Sequence, residues 1–118
     1  MHHIKNAVMP THEWRGIAIK DLTPPDATWN GSLVEVDVPA GVRHPQARST
    51  KCETFYYCDR GALEFDVNGQ QFRVTPGDLV VIEPNEWYSY RNESSAPGRL
   101  LSFNIPPYDA SATEIQDN

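Results

Sequence analysis

Short alternating runs cut off by turn residues constrain this chain more than any other feature. Ten prolines and seven glycines are spread through 118 residues, and no segment between them holds the 3.6-residue period of an amphipathic helix. LVEVDV (Leu33–Val38) alternates Val34, Val36 and Val38 with Glu35 and Asp37 and stops at Pro39-Ala40-Gly41. ALEFDV (Ala62–Val67) alternates Leu63, Phe65 and Val67 with Glu64 and Asp66. Asn68-Gly69 then supplies a two-residue hairpin turn of the favoured kind. TFYYC (Thr54–Cys58), QFRV (Gln71–Val74), LVVI (Leu79–Ile82) and RLLSFNI (Arg99–Ile105) read as further strands, LVVI as one covered on both faces. Residues 1–32 carry weaker strand signals around Trp14 to Ile19, and Pro24-Pro25 breaks the run. The tail 109–118 is polar and reads as a flexible end, its TEIQ as no more than a last turn. The length suits one domain with one core: an N-terminal arm with the first strands (1–32), a barrel (33–108) and the tail (109–118). Many short strands joined by tight turns predict an all-β sandwich or barrel of antiparallel sheets.

Charge and cysteine usage narrow the function classes. The net charge is −6, and the ten Lys and Arg form no basic run, which argues against a nucleic-acid partner. No apolar stretch approaches the ~20 residues of a membrane-spanning helix, and the N-terminus lacks the apolar core of a signal peptide. The expectation is a cytoplasmic protein that engages neither membrane nor nucleic acid. Cys52 and Cys58, six positions apart in one strand, would lie ~20 Å apart, beyond the ~4.4–6.8 Å a disulfide spans. Free thiols are expected, as suits a reducing compartment.

Three pieces of the sequence carry a family resemblance. They are Pro39-Ala40-Gly41, then ETFYYCDRG running into ALEFDVNG, then PGDLVVIEPNEWYSYRN. Together they resemble the cupin superfamily over roughly residues 33–105. In the last piece PGD opens an apolar strand, a proline turn follows, and a metal ligand usually stands shortly before an Asn, here Asn92. The resemblance implies a small jelly-roll barrel of two antiparallel sheets, usually a homodimer. It also implies an interior reached by alternate residues. With the register counted from Gly61, Cys52, Thr54, Tyr56 and Cys58 share one face, and Tyr88 shares another with Tyr90. Both faces would point inward and make a mostly apolar pocket with phenol, hydroxyl and thiol tips, suited to a small organic ligand. The competing expectation is that the same rings simply fill the barrel.

The resemblance also implies a metal site, commonly His-x-His, a later Glu and a further His. The sequence departs from that pattern throughout. Tyr88 takes the second-motif His position, His44 is the one His of the first motif, and Gln46 takes the paired slot. The Glu position falls on Thr54, with Glu53 one residue off and therefore facing away unless a bulge intervenes. Two expectations follow. One is a cupin without a resident metal that binds a carboxylated or sugar-like ligand, with His44, Tyr88 and Glu53 as acid–base groups for isomerase, cyclase or lyase chemistry. Thr54, Tyr56, Cys58 and Tyr90 would then line the ligand, and Arg48, within the cationic stretch Arg43–Lys51, would grip an anion. The other is a divalent ion held by His44, Gln46, Glu53 and Tyr88. A non-catalytic binding or sensory cupin stands beside both.

Overall fold

A computed structural model describes residues 1–116. Its eleven strands are β1 (Thr11–Trp14), β2 (Ile17–Asp21), β3 (Ser32–Val38), β4 (Arg43–Ser49), β5 (Glu53–Arg60), β6 (Leu63–Val67), β7 (Gln70–Val74), β8 (Leu79–Ile82), β9 (Tyr88–Arg91), β10 (Gly98–Ile105) and β11 (Thr113–Gln116). They form two antiparallel sheets, one in the order β1-β2-β3-β10-β5-β8 and one in the order β11-β4-β9-β6-β7. The expected jelly-roll architecture of two facing sheets is what the chain adopts.

Period-two burial explains why each strand lies as it does. On β5, Thr54, Tyr56 and Cys58 are buried, and on β10 Leu100, Ser102 and Asn104 are. These residues oppose one another across the ladder, Cys58 with Leu100, Tyr56 with Ser102 and Thr54 with Asn104. The core between the sheets gathers Ile17, Val38, Leu63, Phe65 and Leu100, all fully buried. Phe65 stacks on Tyr90 at 5.1 Å and meets Tyr56 edge-on at 5.7 Å, in the offset and T-shaped arrangements that aromatic quadrupoles favour. Both cysteines are free and buried, as their spacing requires.

Four segments differ from the sequence reading. The run Trp14–Ile19 is not one strand: Arg15 (φ 53) and Gly16 (φ 87) turn the chain between β1 and β2. Val80 and Ile82 are buried, but Leu79 and Val81 are 57% and 42% exposed. LVVI is therefore covered on one face only; its other face lies on the outer side of the sheet, where Tyr57 and Phe103 are exposed as well. RHPQARS, which none of the alternating runs includes and whose cationic residues read as a loop, is strand β4 despite its proline. TEIQ is strand β11, held by pairing with β4 from Thr113↔Ser49 to Gln116↔Gln46. The tail is thus tied into a sheet as far as Gln116. Its last two positions, 117 and 118, lie outside the described residues.

Gly61 shows how tightly the turns are fitted. It has φ +76, and a Cβ there would stand 2.6 Å from the Pro97 carbonyl oxygen and 2.8 Å from Gly98 Cα. Both obstacles are backbone, so neither can swing aside. Gly61→Ala should lower stability by more than ~1 kcal/mol, seen as a lower urea midpoint at unchanged m-value. An unchanged midpoint would mean the β5–β6 turn relaxes freely.

Candidate functional site

One end of the interior is apolar and sealed, and polarity rises toward the other. At the sealed end Val38, Cys58, Leu63 and Leu100 are fully buried. One level along are Tyr56, Tyr90 and Ser102 at 5%, 2% and 4% exposure, and beyond them Thr54 and Asn104 at 6% and 7%. Tyr88 is only partly buried, and its hydroxyl feels the neighbouring Tyr108 and Cys52. That end therefore carries phenol, amide and hydroxyl groups.

His44 reaches this interior through a bulge in β4. Its Cα pairs with Tyr90, and Ala47 pairs with Tyr88, so three steps on β4 match two on β9. Pro45, in the shifted segment, has no N–H to give the ladder, and a bulge is where a proline is tolerated within a sheet. The extra residue turns Gln46 away from the interior, and its Nε2 donates to Ser89 Oγ at 3.2 Å. The His44 ring packs on Tyr90 at 4.8 Å and on Tyr88 at 5.5 Å, both near-parallel, and on Trp14 at 5.2 Å.

The tautomer of His44 follows from its neighbour. Nδ1 lies 2.7 Å from the Pro45 carbonyl oxygen. That oxygen only accepts, so Nδ1 carries the proton and the Nε2 lone pair is left free. Desolvation pulls the imidazole pKa from 6.5 down to about 4; the Pro45 hydrogen bond opposes this and the Arg15 charge adds to it. The ring is neutral at pH 7 and able to accept a proton.

The phenols are tuned the other way. Tyr56 and Tyr88 hydroxyls lie 3.2 Å apart. Burial raises all three tyrosines well above the usual phenol range, with Tyr90 adding to the shift at Tyr56, Tyr56 to that at Tyr88, and Tyr88 to that at Tyr90. Each therefore keeps its proton and acts as a donor. A lone-pair base beside a linked pair of proton donors is equipment for general acid–base chemistry.

The remaining sequence-predicted residues divide cleanly. Thr54, Tyr56, Cys58 and Tyr90 are on the inner face, as the register counted from Gly61 requires. Glu53 alternates with Thr54 and pairs with Ile105 on the outer side, so it joins no acid–base cluster with His44 and Tyr88. No bulge rescues it, because the β5 register runs unbroken from Tyr57 to Glu53. Arg48 lies outside as well, bonded to Glu114 at 3.0 Å and over the Trp87 ring at 4.9 Å. Lys51 pairs with Asp109 at 3.3 Å. Of the four residues considered for a metal, only His44 and Tyr88 come together. Gln46 is committed to Ser89 and Glu53 faces away, so this set does not fit a metal ion. Among the described residues no three His, Cys, Asp or Glu side chains gather as a metal-binding group.

Three contributors escaped the sequence reading: Trp14, Ser102 and Asn104. For the last two a signal was present. In RLLSFNI the alternation that buries Leu100 also buries Ser102 and Asn104, and polar residues at core positions mark function or error.

Residues 34–104 match the model of the cupin domain (Cupin_2). An uncharacterized protein of Methanocaldococcus jannaschii, MJ1618, is 29% identical over 103 residues, which cover 85% of this chain and 82% of that protein. Among solved structures, Streptomyces Pac13 carrying a histidine-to-glutamine change, with uridine, superposes with a TM-score of 0.85 at 14% identity, covering 99% of this chain and 92% of that one. Pac13 is a nucleoside dehydratase. KdgF from Halomonas sp. superposes with a TM-score of 0.80 at 18% identity, covering 94% and 98%. At these identities the likeness is one of fold.

Proposed function

The chain belongs to the cupin domain family, and from that premise we propose that its barrel binds a nucleoside or a similar sugar-bearing ligand and eliminates water from it, His44 and the tyrosine pair carrying the protons. The observation that supports this most is the neutral His44 imidazole, proton-bearing at Nδ1 and free at Nε2, packed against the phenol cluster. Nε2 takes a proton from carbon, and the C–H electron pair becomes a C=C bond. The C–O bond to the neighbouring carbon breaks as the hydroxyl leaves, and the Tyr56–Tyr88 pair protonates it to water. The His44 imidazolium then returns its proton to the phenolate, and the site is restored. Pac13 lends support, since it holds uridine in variants altered at a histidine or at either of two tyrosines, the residue types that meet here.

The test pairs calorimetric binding with product mass over a panel of nucleosides and their sugar-oxidised derivatives. The expected result is micromolar-to-millimolar binding of at least one member and formation of a product lighter by one water. Tyr88→Phe should leave binding within a few-fold and slow turnover by roughly 10²-fold, since one positioned proton donor is removed. Failure of every panel member to bind would overturn the reading. Binding with no turnover would reduce the protein to a ligand-binding cupin.

A further inference from the structure

We infer that Asn104 selects the ligand by donating its side-chain amide to a carbonyl oxygen of the bound molecule. The inference rests on the barrel interior being the ligand site and adds the chemistry it selects for. Asn104 stands on β10 opposite Thr54 and is 7% exposed. Thr54 Oγ1 donates to Asn104 Oδ1 at 2.6 Å, which occupies the amide oxygen and fixes which way the amide points. The nitrogen, with two N–H donors, makes no hydrogen bond to any described residue. Yet no sealed side-chain nitrogen or oxygen in the described structure lacks a partner. The Asn104 nitrogen is therefore not fully sealed, although its residue is only 7% exposed. A nine-tenths-buried amide with a fixed oxygen and two unused donors is arranged to meet an acceptor.

Its surroundings place that acceptor beside the acid–base groups. Ser102, one inward step along β10, opposes Tyr56, whose hydroxyl is bonded to Tyr88. Cys52, one step from Thr54 away from the sealed end, donates to the Pro106 carbonyl oxygen and neighbours Tyr88. Along the strand Asn104 is one side-chain step, ~7 Å, from Ser102 opposite Tyr56, a spacing that a nucleoside-sized molecule spans with one end at Asn104 and the other toward Tyr56 and Tyr88. Carbonyl-bearing rings such as uracil fit this donor. A ligand presenting an amino group at the same spot would set donor against donor and be rejected.

The experiment measures affinities of wild type, Asn104→Leu and Thr54→Val for two probes, uridine and ribose, the second lacking the carbonyl-bearing base. Asn104→Leu removes the donors without burying a charge and should weaken uridine binding roughly tenfold while leaving ribose within about twofold. Thr54→Val releases the amide's orientation and should give a smaller loss in the same direction. General damage to the barrel would weaken both probes alike, so the uridine-to-ribose ratio separates recognition from structure. Wild type that binds uridine, with the ratio unchanged in Asn104→Leu, would overturn this inference and leave the proposed function standing. Wild type that binds neither probe nor any carbonyl-bearing panel member would overturn both.

Discussion

His44→Gln should abolish turnover, by about 10²–10⁴-fold in kcat, and leave a folded barrel that still binds its ligand. Glutamine keeps the approximate size of the ring and a hydrogen-bonding end, but it has no lone-pair nitrogen that can take a proton at neutral pH. The surrounding Trp14, Tyr88 and Tyr90 rings would persist as walls. The result to look for is a near-total loss of product with the dissociation constant changed only a few-fold. Retention of a tenth or more of wild-type kcat would remove His44 from the role of base.

The same variant should flatten a pH dependence of stability. In the folded chain His44 remains neutral down to about pH 4, whereas unfolded it takes up a proton near 6.5. Between those values the unfolded state binds more protons, so stability falls as pH drops from about 6.5 to about 4 and changes no further below that. The gap corresponds to a loss on the order of 3 kcal/mol, less whatever the partly covered ring regains from water. The groups facing it are Tyr88 and Tyr90, which stay protonated in this window, and Arg15, which stays charged. A urea titration from pH 7 to pH 4 should show this slope in wild type and a shallower one in His44→Gln. Parallel slopes would show that the imidazole is not held neutral.

How far the sequence could be read depends on what holds each strand. Leu33–Val38 and Ala62–Val67 were legible because one face is buried and the other wet, so the apolar period is written out in full. The inward placing of Tyr56, Tyr88 and Tyr90 followed from the same alternation. β4 was illegible because Arg43–Ser49 has almost no apolar residues to alternate. It is a strand because β9 and β11 flank it on both sides, a fact of tertiary pairing. The hairpin between β1 and β2 was hidden by Arg15, which adopts the left-handed conformation without being Asn or Gly. In the site, a one-residue offset excluded Glu53, and the bulge at Pro45 both admitted His44 and expelled Gln46. The first was legible by counting from Gly61, with only the absence of a bulge left to find; the second is not visible without the pairing of β4 with β9. Ser102 and Asn104 were legible in principle, since their period matches Leu100, but they carry no motif.

Asn92, which served the sequence only as a marker of the second motif, should prove among the least replaceable residues. It is 1% exposed. Its Nδ2 donates to the Val38 carbonyl at 2.9 Å and to the Ala96 carbonyl at 2.8 Å. Its Oδ1 accepts from Ser94 N at 2.9 Å and Ser94 Oγ at 2.7 Å. Its backbone N–H donates to Val42 and its carbonyl accepts from Gly41. One side chain thus ties the end of β3 to the loop before β10, while its main chain fixes the start of β4. That fixes the sealed end from which β4 carries His44 and β9 carries Tyr90 into the interior. Asn92→Asp keeps the shape but replaces two donors with an oxygen facing two carbonyl oxygens. The buried Val38 carbonyl loses its partner, at about 1–3 kcal/mol, while the carbonyl of the exposed Ala96 keeps Ser94 Oγ at 3.0 Å, and a carboxylate is buried among acceptors besides. A loss of about 3 kcal/mol or more is expected at pH 7, against a total stability of ~5–15 kcal/mol for a domain. Burial raises the carboxyl pKa in the folded state above its unfolded value. The folded state then binds the extra proton, and the deficit should shrink as pH falls toward the unfolded carboxylate range, where a protonated carboxyl donates one of the two bonds again. Asn92→Ala, which has no carboxyl to protonate, should show no such recovery. Urea midpoints of the two variants at pH 7 and pH 5 separate the cases. Equal deficits at both pH values in Asn92→Asp would mean the Val38 carbonyl finds water, and the sealed end is less closed than its packing indicates.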